Sequence, residues 1–293
     1  MIDRLEYLLA LARERHFGRA AASLGVSQPT LSTGIKQLEE SFGAQLVERG
    51  SRFRGFTQAG EVVLEGARRV SADMRAMRDD VTSLRRALSG QLRLAAIPTA
   101  LPLLPRLTAP FVSRHPSVRI SCFSRTFDEV LTLLENLEVD AGITYIDKER
   151  LRRVVAVPLW RERFAYVCQS DDPLAREAAI EWSALNGARL CLLTPDMQNR
   201  RLIDSALTAA GALPEVTVQS DSMLTLLAHL RSGFGGTILP ESWLAALSLP
   251  NLRSVRLLPE QGGEIGLVVP DREPMGVLAQ ALLAEARRLD KLD

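Results

Sequence analysis

The chain has 293 residues, 46% of them hydrophobic and 24% charged, with a formal net charge of +1. That length suits about two domains, each with its own core, and the balance excludes a generally basic nucleic-acid packer. No uninterrupted apolar run approaches the roughly 20 residues that span a bilayer, and Arg4, Glu6, Arg13 and Arg15 interrupt the N-terminus before a signal-peptide core develops, so the expected setting is the cytoplasm and no membrane.

Leu5, Leu8, Leu9 and Ala12 form the apolar stripe of a first helix running to about Arg15. Gly18–Gly25 reads as a short second helix, whose alanines allow a close crossing and whose Gly25 permits a tight turn. The third helix is the best marked. Ser27 can cap it, Pro29 is tolerated in its first turn, Leu31, Ile35, Leu38 and Phe42 make its stripe, and Gly43 ends it. The opposite side carries Pro29, Thr33 and Lys36, flanked by Thr30 and Ser32, with Gln28 at the tip. A solvated face would more often carry Glu/Lys pairs. Short hydrogen-bonding side chains at a helix start suit the base edges of a DNA major groove, and a short helix, a glycine turn and a capped helix make a helix-turn-helix. Leu46–Thr57 reads as two very short strands around Gly50-Ser51, a wing whose Arg49, Arg52 and Arg54 suit phosphates or the minor groove. The candidate DNA contacts are therefore Ser27, Gln28, Pro29, Thr30, Ser32, Thr33, Lys36, Arg49, Arg52 and Arg54. Residues 1–90 hold 14 basic against 11 acidic residues, the remainder 22 against 24, an asymmetry too mild to establish DNA binding alone.

From Thr57 to Ser89, apolar residues recur at Val63, Ala67, Val70, Met74, Met77, Val81, Leu84 and Leu88, in alternating steps of four and three. This period marks a coiled-coil seam. A lone helix would expose it, so the spacing predicts a partner, most simply a second copy, whose paired recognition helices would address a two-fold related site. Packing on the chain's own C-terminal domain is the alternative.

Ser89-Gly90 reads as a hinge. Beyond it, strand-like runs at 91–97, 118–123, 140–146, 163–169, 189–193, 215–220, 236–240 and 264–269 alternate with helical patterns, which means an α/β domain with mainly parallel sheets. Cys122, Cys168 and Cys191 sit in apolar strand-like contexts, and an odd, widely spaced trio argues against a disulfide framework or a zinc site; all three are expected as core thiols. His16, His115 and His229 are far apart, and there is no H-x-x-x-H pair, nucleophile elbow or P-loop. No catalytic residue, metal or cofactor is expected, and the chain is not expected to be an enzyme.

The stretch "FGRAAASLGVSQPTLSTGIKQLEESFGAQLVERGSRFRGFTQAG" resembles the N-terminal signature of LysR-type transcriptional regulators, through Ala20-Ala21, Leu24, Ser27-Gln28-Pro29, Ser32, Ile35, Leu38-Glu39, Gly43, Leu46, Arg49, Thr57 and Ala59-Gly60. His16-Phe17 stand where a small pair is common, Val47 where Phe is usual, Phe56 where Leu is usual, and Gly34 replaces a longer polar residue, removing a potential phosphate or base contact. The resemblance implies a winged helix-turn-helix at 1–58, a dimerisation helix at 59–89 and an effector domain at 90–293. That domain would have two lobes like those of a periplasmic solute-binding protein: lobe I about 91–162 and 266–293, lobe II about 163–265. It further implies binding to double-stranded promoter DNA, dimers pairing into a homotetramer, and a small-molecule effector.

Effectors in such folds bind where strands run into helices. Thr99, Ser124, Thr126, Thr194, Pro195, Arg200, Gly233 and Phe234 lie at four such junctions, with Thr194 read as an N-cap and Pro195 as the first helical residue. Hydroxyls, free N–H groups and nearby arginines favour a small carboxylate or other anion. The alternative is a solute-binding module with an appended helical domain and no role on DNA.

Overall fold

The computed structural model describes residues 1–48, 53–85, 88–247 and 249–289. The chain divides into two compact units, Met1–Val81 with Asn136–Glu138, and Thr82–Glu135 with Val139–Asp293.

The first unit is helical: α1 (Ile2–Glu14), α2 (Phe17–Ser23), α3 (Gln28–Phe42) and the long α4, Gln58–Arg85. Leu8, Leu11, Ala20, Ala21, Leu31, Ile35, Leu38 and Leu46 form the core, closed by Leu64 and Ala67 from the start of α4. His16, one of the departures from the family signature, caps α2: its Nδ1 accepts from the N–H groups of Gly18 (3.0 Å) and Arg19 (3.3 Å), two of the donors a helix start leaves unpaired. Gly25 turns the chain with φ 67°. Gly34 is buried, and a Cβ there would lie 2.4 Å from the ring of Tyr7. Its missing side chain thus makes room for the Tyr7 ring of α1.

The wing is anchored by Glu39, whose Oε1 accepts from the backbone N–H of Leu46 (2.8 Å) and Val47 (3.1 Å). Val47 and Phe56 form an antiparallel bridge; Arg49 and Arg52 lie outside the described residues. Thr57 starts α4, its hydroxyl accepting from Gly60 N–H. Along α4, Val70, Met77 and Val81 stay 39–55% exposed. Leu88 does not extend the seam: it lies outside any helix and packs on the core of the second unit.

The second unit opens with β1 (Ser89–Ala96), α5 (Pro105–Arg114), β2 (Ser117–Ser124), α6 (Phe127–Glu135), β3 (Ala141–Tyr145) and β4, Val154–Gln169. It continues through β5 (Ala179–Glu181), β6 (Arg189–Leu193), α7 (Gln198–Ala209), β7 (Glu215–Ser220), α8 (Met223–Arg231) and β8, Gly236–Pro240. Last come α9 (Ser242–Leu247), β9 (Leu252–Leu258), β10 (Gly262–Pro270) and α10, Val277–Ala286.

Two lobes share one strand. The lobe I sheet runs β2-β1-β3-β10-β4, parallel except where β10 is antiparallel to β3 and β4. The second half of β4 leaves it to pair β8 and β9, in a lobe II sheet that continues β8-β6-β7 on one side and β9-β5 on the other. Each lobe has its own apolar filling: Leu94, Phe111, Phe127, Ile143 and Leu267 in lobe I, and Tyr166, Trp182, Leu192, Leu207 and Val255 in lobe II. Strands β5, β9 and the first half of β4, which Pro158 disguises, go beyond the runs expected from sequence.

Candidate functional site

The first site is the outward side of α3. Ser27, Gln28, Pro29, Thr30, Thr33 and Lys36 are exposed and Ser32 is half-buried. Two of the hydroxyls are partly spent on the helix itself: Ser27 Oγ accepts from Thr30 N–H (3.2 Å) and lies 2.7 Å from Thr30 Oγ1. Gln28, Thr33 and Lys36 thus remain to reach outward. Gln37, one turn beyond Thr33, is exposed too and shares a groove with Arg4, Pro29 and Thr33; its helical spacing from Thr33 is the signal that could have found it. Arg54 of the wing is exposed.

The second site lies between the lobes. A small cavity of about 10 Å³, room for about one water, is walled on the lobe I side by Ile97, Pro98, Thr99, Phe127 and Tyr145. Leu193, Met197, Gln198 and Asn199 wall it on the lobe II side. Thr99 and Asn199 are 2% and 3% exposed, yet Thr99 Oγ1 and Asn199 Oδ1 have no hydrogen-bond partner, nor has the buried Thr194 Oγ1. Native interiors rarely leave such groups unpaired, and two of them, Thr99 and Asn199, line this one cavity. Behind the wall, Tyr145 donates to Glu162 Oε2 at 2.6 Å. Burial, against the opposing pull of Tyr145 and Thr99, pushes the Glu162 carboxyl up to about 7; burial and the Glu162 charge raise the Tyr145 phenol.

Polar contacts tie the lobes beside this cavity. Trp243, on α9, donates its indole N–H to Thr99 O at 2.8 Å. Arg201, on α7, reaches Asp128, on α6, at 3.4 Å, and Arg150 also binds Asp128 while stacking on Phe127. Burial of Asp128 acts upward on its carboxyl, but Arg150 and Arg201 outweigh it and hold it below the usual range.

The structure brings only part of the expected set to the cavity. Thr99 is there. Thr194 is beside it but is not a cap: Pro195 and Asp196 form a turn, Met197 is the N-cap, and α7 begins at Gln198. Arg200 is buried and turned away, its guanidinium donating to Asp204, Leu193 O and Gln219; no residue lining the cavity is charged. The Thr126 hydroxyl accepts from Glu129 N–H at the start of α6, and Ser124 is exposed at the end of β2. Gly233 and Phe234 belong to the other end of the sheet. Their loop precedes β8, whose Gly236 pairs with Leu190 near the start of β6, so it cannot converge with Thr194 at the end of β6. Glu162, Tyr145, Asn199 and Trp243 are absent from the sequence-derived set; a tyrosine inside an apolar strand is the available signal for Tyr145, while Glu162, between Arg161 and Arg163, offers none. Cys122 is also corrected: it is exposed, because β2 is an edge strand, while Cys168 and Cys191 are buried.

Residues 2–61 match the family described as bacterial regulatory helix-turn-helix protein, lysR family, and residues 85–290 match the LysR substrate binding domain. A hydrogen peroxide-inducible genes activator of Dickeya chrysanthemi is 34% identical over 240 residues, 82% of this chain and 78% of that protein. The DNA-binding transcriptional dual regulator OxyR of Escherichia coli is 32% identical over 282 residues, 94% of this chain and 90% of its own. Among solved structures, a full-length OxyR variant with one cysteine replaced by aspartate, from Pseudomonas aeruginosa, superposes with a TM-score of 0.73 at 27% identity, covering 99% of this chain and 95% of that one. CbnR complexed with its target DNA has the same fold at 22% identity and a TM-score of 0.66, covering 98% and 99%. No described helix is long and apolar enough to cross a membrane.

Proposed function

The chain belongs to the LysR family of bacterial helix-turn-helix transcriptional regulators, and from that premise we propose how it reads promoter DNA and what it senses. It is a regulator and not an enzyme. The observation that carries the DNA reading is the exposed, uncrowded row Gln28, Thr33 and Lys36 on a helix that Ser27 caps and Gly34 seats against Tyr7. Gln28 and Thr33 are placed to read base edges, Lys36 and Arg54 to meet phosphates. Arg49 and Arg52 keep the phosphate role that the sequence assigns them. On this reading the protein works in the cytoplasm, where promoter DNA is.

Two copies pair through α4. The exposed Val70, Met77 and Val81 support this, as does an adjoining groove lined by Leu5, Leu9 and Met74; dimers pairing into a tetramer follow from the family alone. The effector enters between the lobes, which must part to admit it, because the cavity as it stands holds about one water. Its negative end meets the first turn of α7, where the N–H groups of Gln198, Asn199 and Arg200 precede the first intrahelical bond, Arg201 N–H to Met197 O. Thr99 and Asn199 line the cavity at the same place. A small carboxylate bound by main-chain donors fits this better than one bound by Arg200, whose guanidinium is already committed.

The Dickeya chrysanthemi relative is named for hydrogen peroxide. The thiols here favour a bound signal over an oxidised one: burial, with the charges of Asp172 and Asp171, pushes Cys168 up to about 12, and burial raises Cys191 and Cys122. None lines the cavity, and a thiol, unlike a thiolate, is a poor nucleophile. Titrating an operator-length duplex at several salt concentrations tests the first half of the reading. A phosphate-contacting dimer loses affinity steeply with salt, whereas a solute-binding module shows no duplex affinity at all. Full response to a ligand by a variant lacking all three cysteines tests the second half.

A further inference from the structure

Glu162 is 1% exposed and sits on the crossover strand β4, one layer behind the cavity. Its Oε2 accepts a hydrogen bond from the Tyr145 hydroxyl, and its Oε1 has no partner. Thr99 is close enough to bear on the ionisation of both groups, although its hydroxyl completes no hydrogen bond. Few other groups bear on this carboxyl. On β10 the residue across from it is Gly263, which brings no side chain. Arg161 and Arg163 alternate with it on β4 and point to the other face; Arg163 pairs with Glu260. Glu264 is exposed opposite Arg161. The titratable group that faces Glu162 is Tyr145, and the hydroxyl beside both is Thr99.

A carboxylate is acceptor-only, and a protonated carboxyl gains one donor. While Glu162 is ionised, Tyr145 must turn its proton inward, and Thr99 is drawn the same way. Both oxygens then present only lone pairs to the cavity. The lobe I wall becomes an acceptor wall, facing the N–H donors at the start of α7.

Resting on the reading of this cleft as the effector site, we propose that Glu162 fixes the polarity of that site, so that it selects a small carboxylate bearing its own hydrogen-bond donor, a hydroxyl or an ammonium, over one without. The carboxylate lies at α7 and the donor at Thr99 and Tyr145. Protonation of Glu162 reverses the Tyr145 hydrogen bond, turns the phenol proton toward the cavity and removes the selectivity. Burial places that switch near neutrality.

The probes are glycolate and acetate, which share a carboxylate and differ by one hydroxyl, titrated into the full-length protein at pH 6 and pH 8 with intrinsic tryptophan fluorescence as the readout. Wild type should prefer glycolate by about tenfold at pH 8, the worth of roughly one hydrogen bond, and by much less at pH 6. Glu162→Gln should bind with a smaller preference that is the same at both values. Asn199→Ala, at the opposite wall, should weaken both probes together and leave the preference and its pH dependence in place. A pH-independent preference in wild type, or one that Glu162→Gln leaves intact, overturns the role of Glu162 while sparing the cleft. Equal binding of both probes by wild type and Asn199→Ala removes the cleft itself. Failure of both probes to bind wild type overturns the proposed ligand class.

Discussion

The indole N–H of Trp243 and the carbonyl oxygen of Thr99 are 2.8 Å apart, and they join α9 of one lobe to the first turn after β1 of the other. Thr99 is thereby held from its backbone while its hydroxyl stays unpaired at the cavity wall. Trp243→Phe keeps most of the packing and strands that carbonyl. The expected loss is about 1–3 kcal/mol, the cost of a buried unsatisfied acceptor, read as a lower urea midpoint for the second unit. An unchanged midpoint would mean that the lobes are held together elsewhere.

Gly34 and Tyr7 give a prediction whose sign is contrary to propensity. In an exposed helix interior, Gly→Ala gains up to about 1 kcal/mol. Here the new Cβ would lie 2.4 Å from the Tyr7 ring, and overpacking of this kind costs about 1–3 kcal/mol. Gly34→Ala should destabilise the wild type and become neutral or stabilising in a Tyr7→Ala background. Thermal unfolding of the four proteins of this double-mutant cycle decides it; additive effects would show that the ring yields freely.

On the DNA side, Thr33→Ala and Gln28→Ala should each weaken specific binding by about 1–3 kcal/mol while leaving non-specific duplex almost untouched. Lys36→Ala should weaken both alike and flatten the salt slope by about one unit. Binding curves on operator and scrambled duplexes separate the two classes, and equal losses on both duplexes for Thr33 would make it a phosphate contact.

At the subunit contact, Met77→Asp with Val81→Asp should yield smaller species by light scattering, since like charges would then face each other in a dry seam. Persistence of the wild-type assembly at low concentration would remove α4 as its principal contact.

Glu162 also predicts a pH dependence of stability without any ligand. Its folded-state carboxyl sits near 7 against an ordinary value of 4.5, so between those values the folded chain holds a proton that the unfolded chain releases. The stability that this group contributes is complete below about pH 4.5 and is lost as pH rises through 7. Glu162→Gln should remove that part of the slope and gain on the wild type by a few kcal/mol near pH 8. Parallel stability–pH curves for the two proteins would count against the burial of an ionisable group.

The helix-turn-helix is legible because its signals are local. Ser27, Pro29 and Gly43 act within one turn, and their capping follows from residue type. Gly34 stands out in the sequence, but its packing role does not show there, because Tyr7 is 27 positions away and no periodicity links them. Strands β6, β7 and β8 are legible at their observed bounds, since each is a short apolar or β-branched run between turn residues. The cleft is legible only where a residue follows its strand in sequence, as Thr99 does. Which end of the sheet a loop occupies depends on the pairing of Leu190 with Gly236, and whether Arg200 is free depends on Gln219 and Asp204; both are products of tertiary register. The polar group behind the wall, Glu162, looks like one residue of a surface run, Arg161–Arg163, until β4 is placed between two sheets.

The register of that strand has one more consequence. Arg163 pairs with Gly262, and Phe164 N–H donates to Gln261 O at 2.8 Å, so the chain enters and leaves lobe II at adjacent rungs of one ladder. Lobe II is topologically a guest seated at the tip of a hairpin formed by β4 and β10. Insertions whose ends lie so close are the ones a host tolerates losing. Replacing residues 164–261 by a two-residue Asn-Gly turn should therefore leave a self-contained host, and the same position is where a foreign sensor module could be grafted so that its own closure is transmitted to the strand pair beneath it.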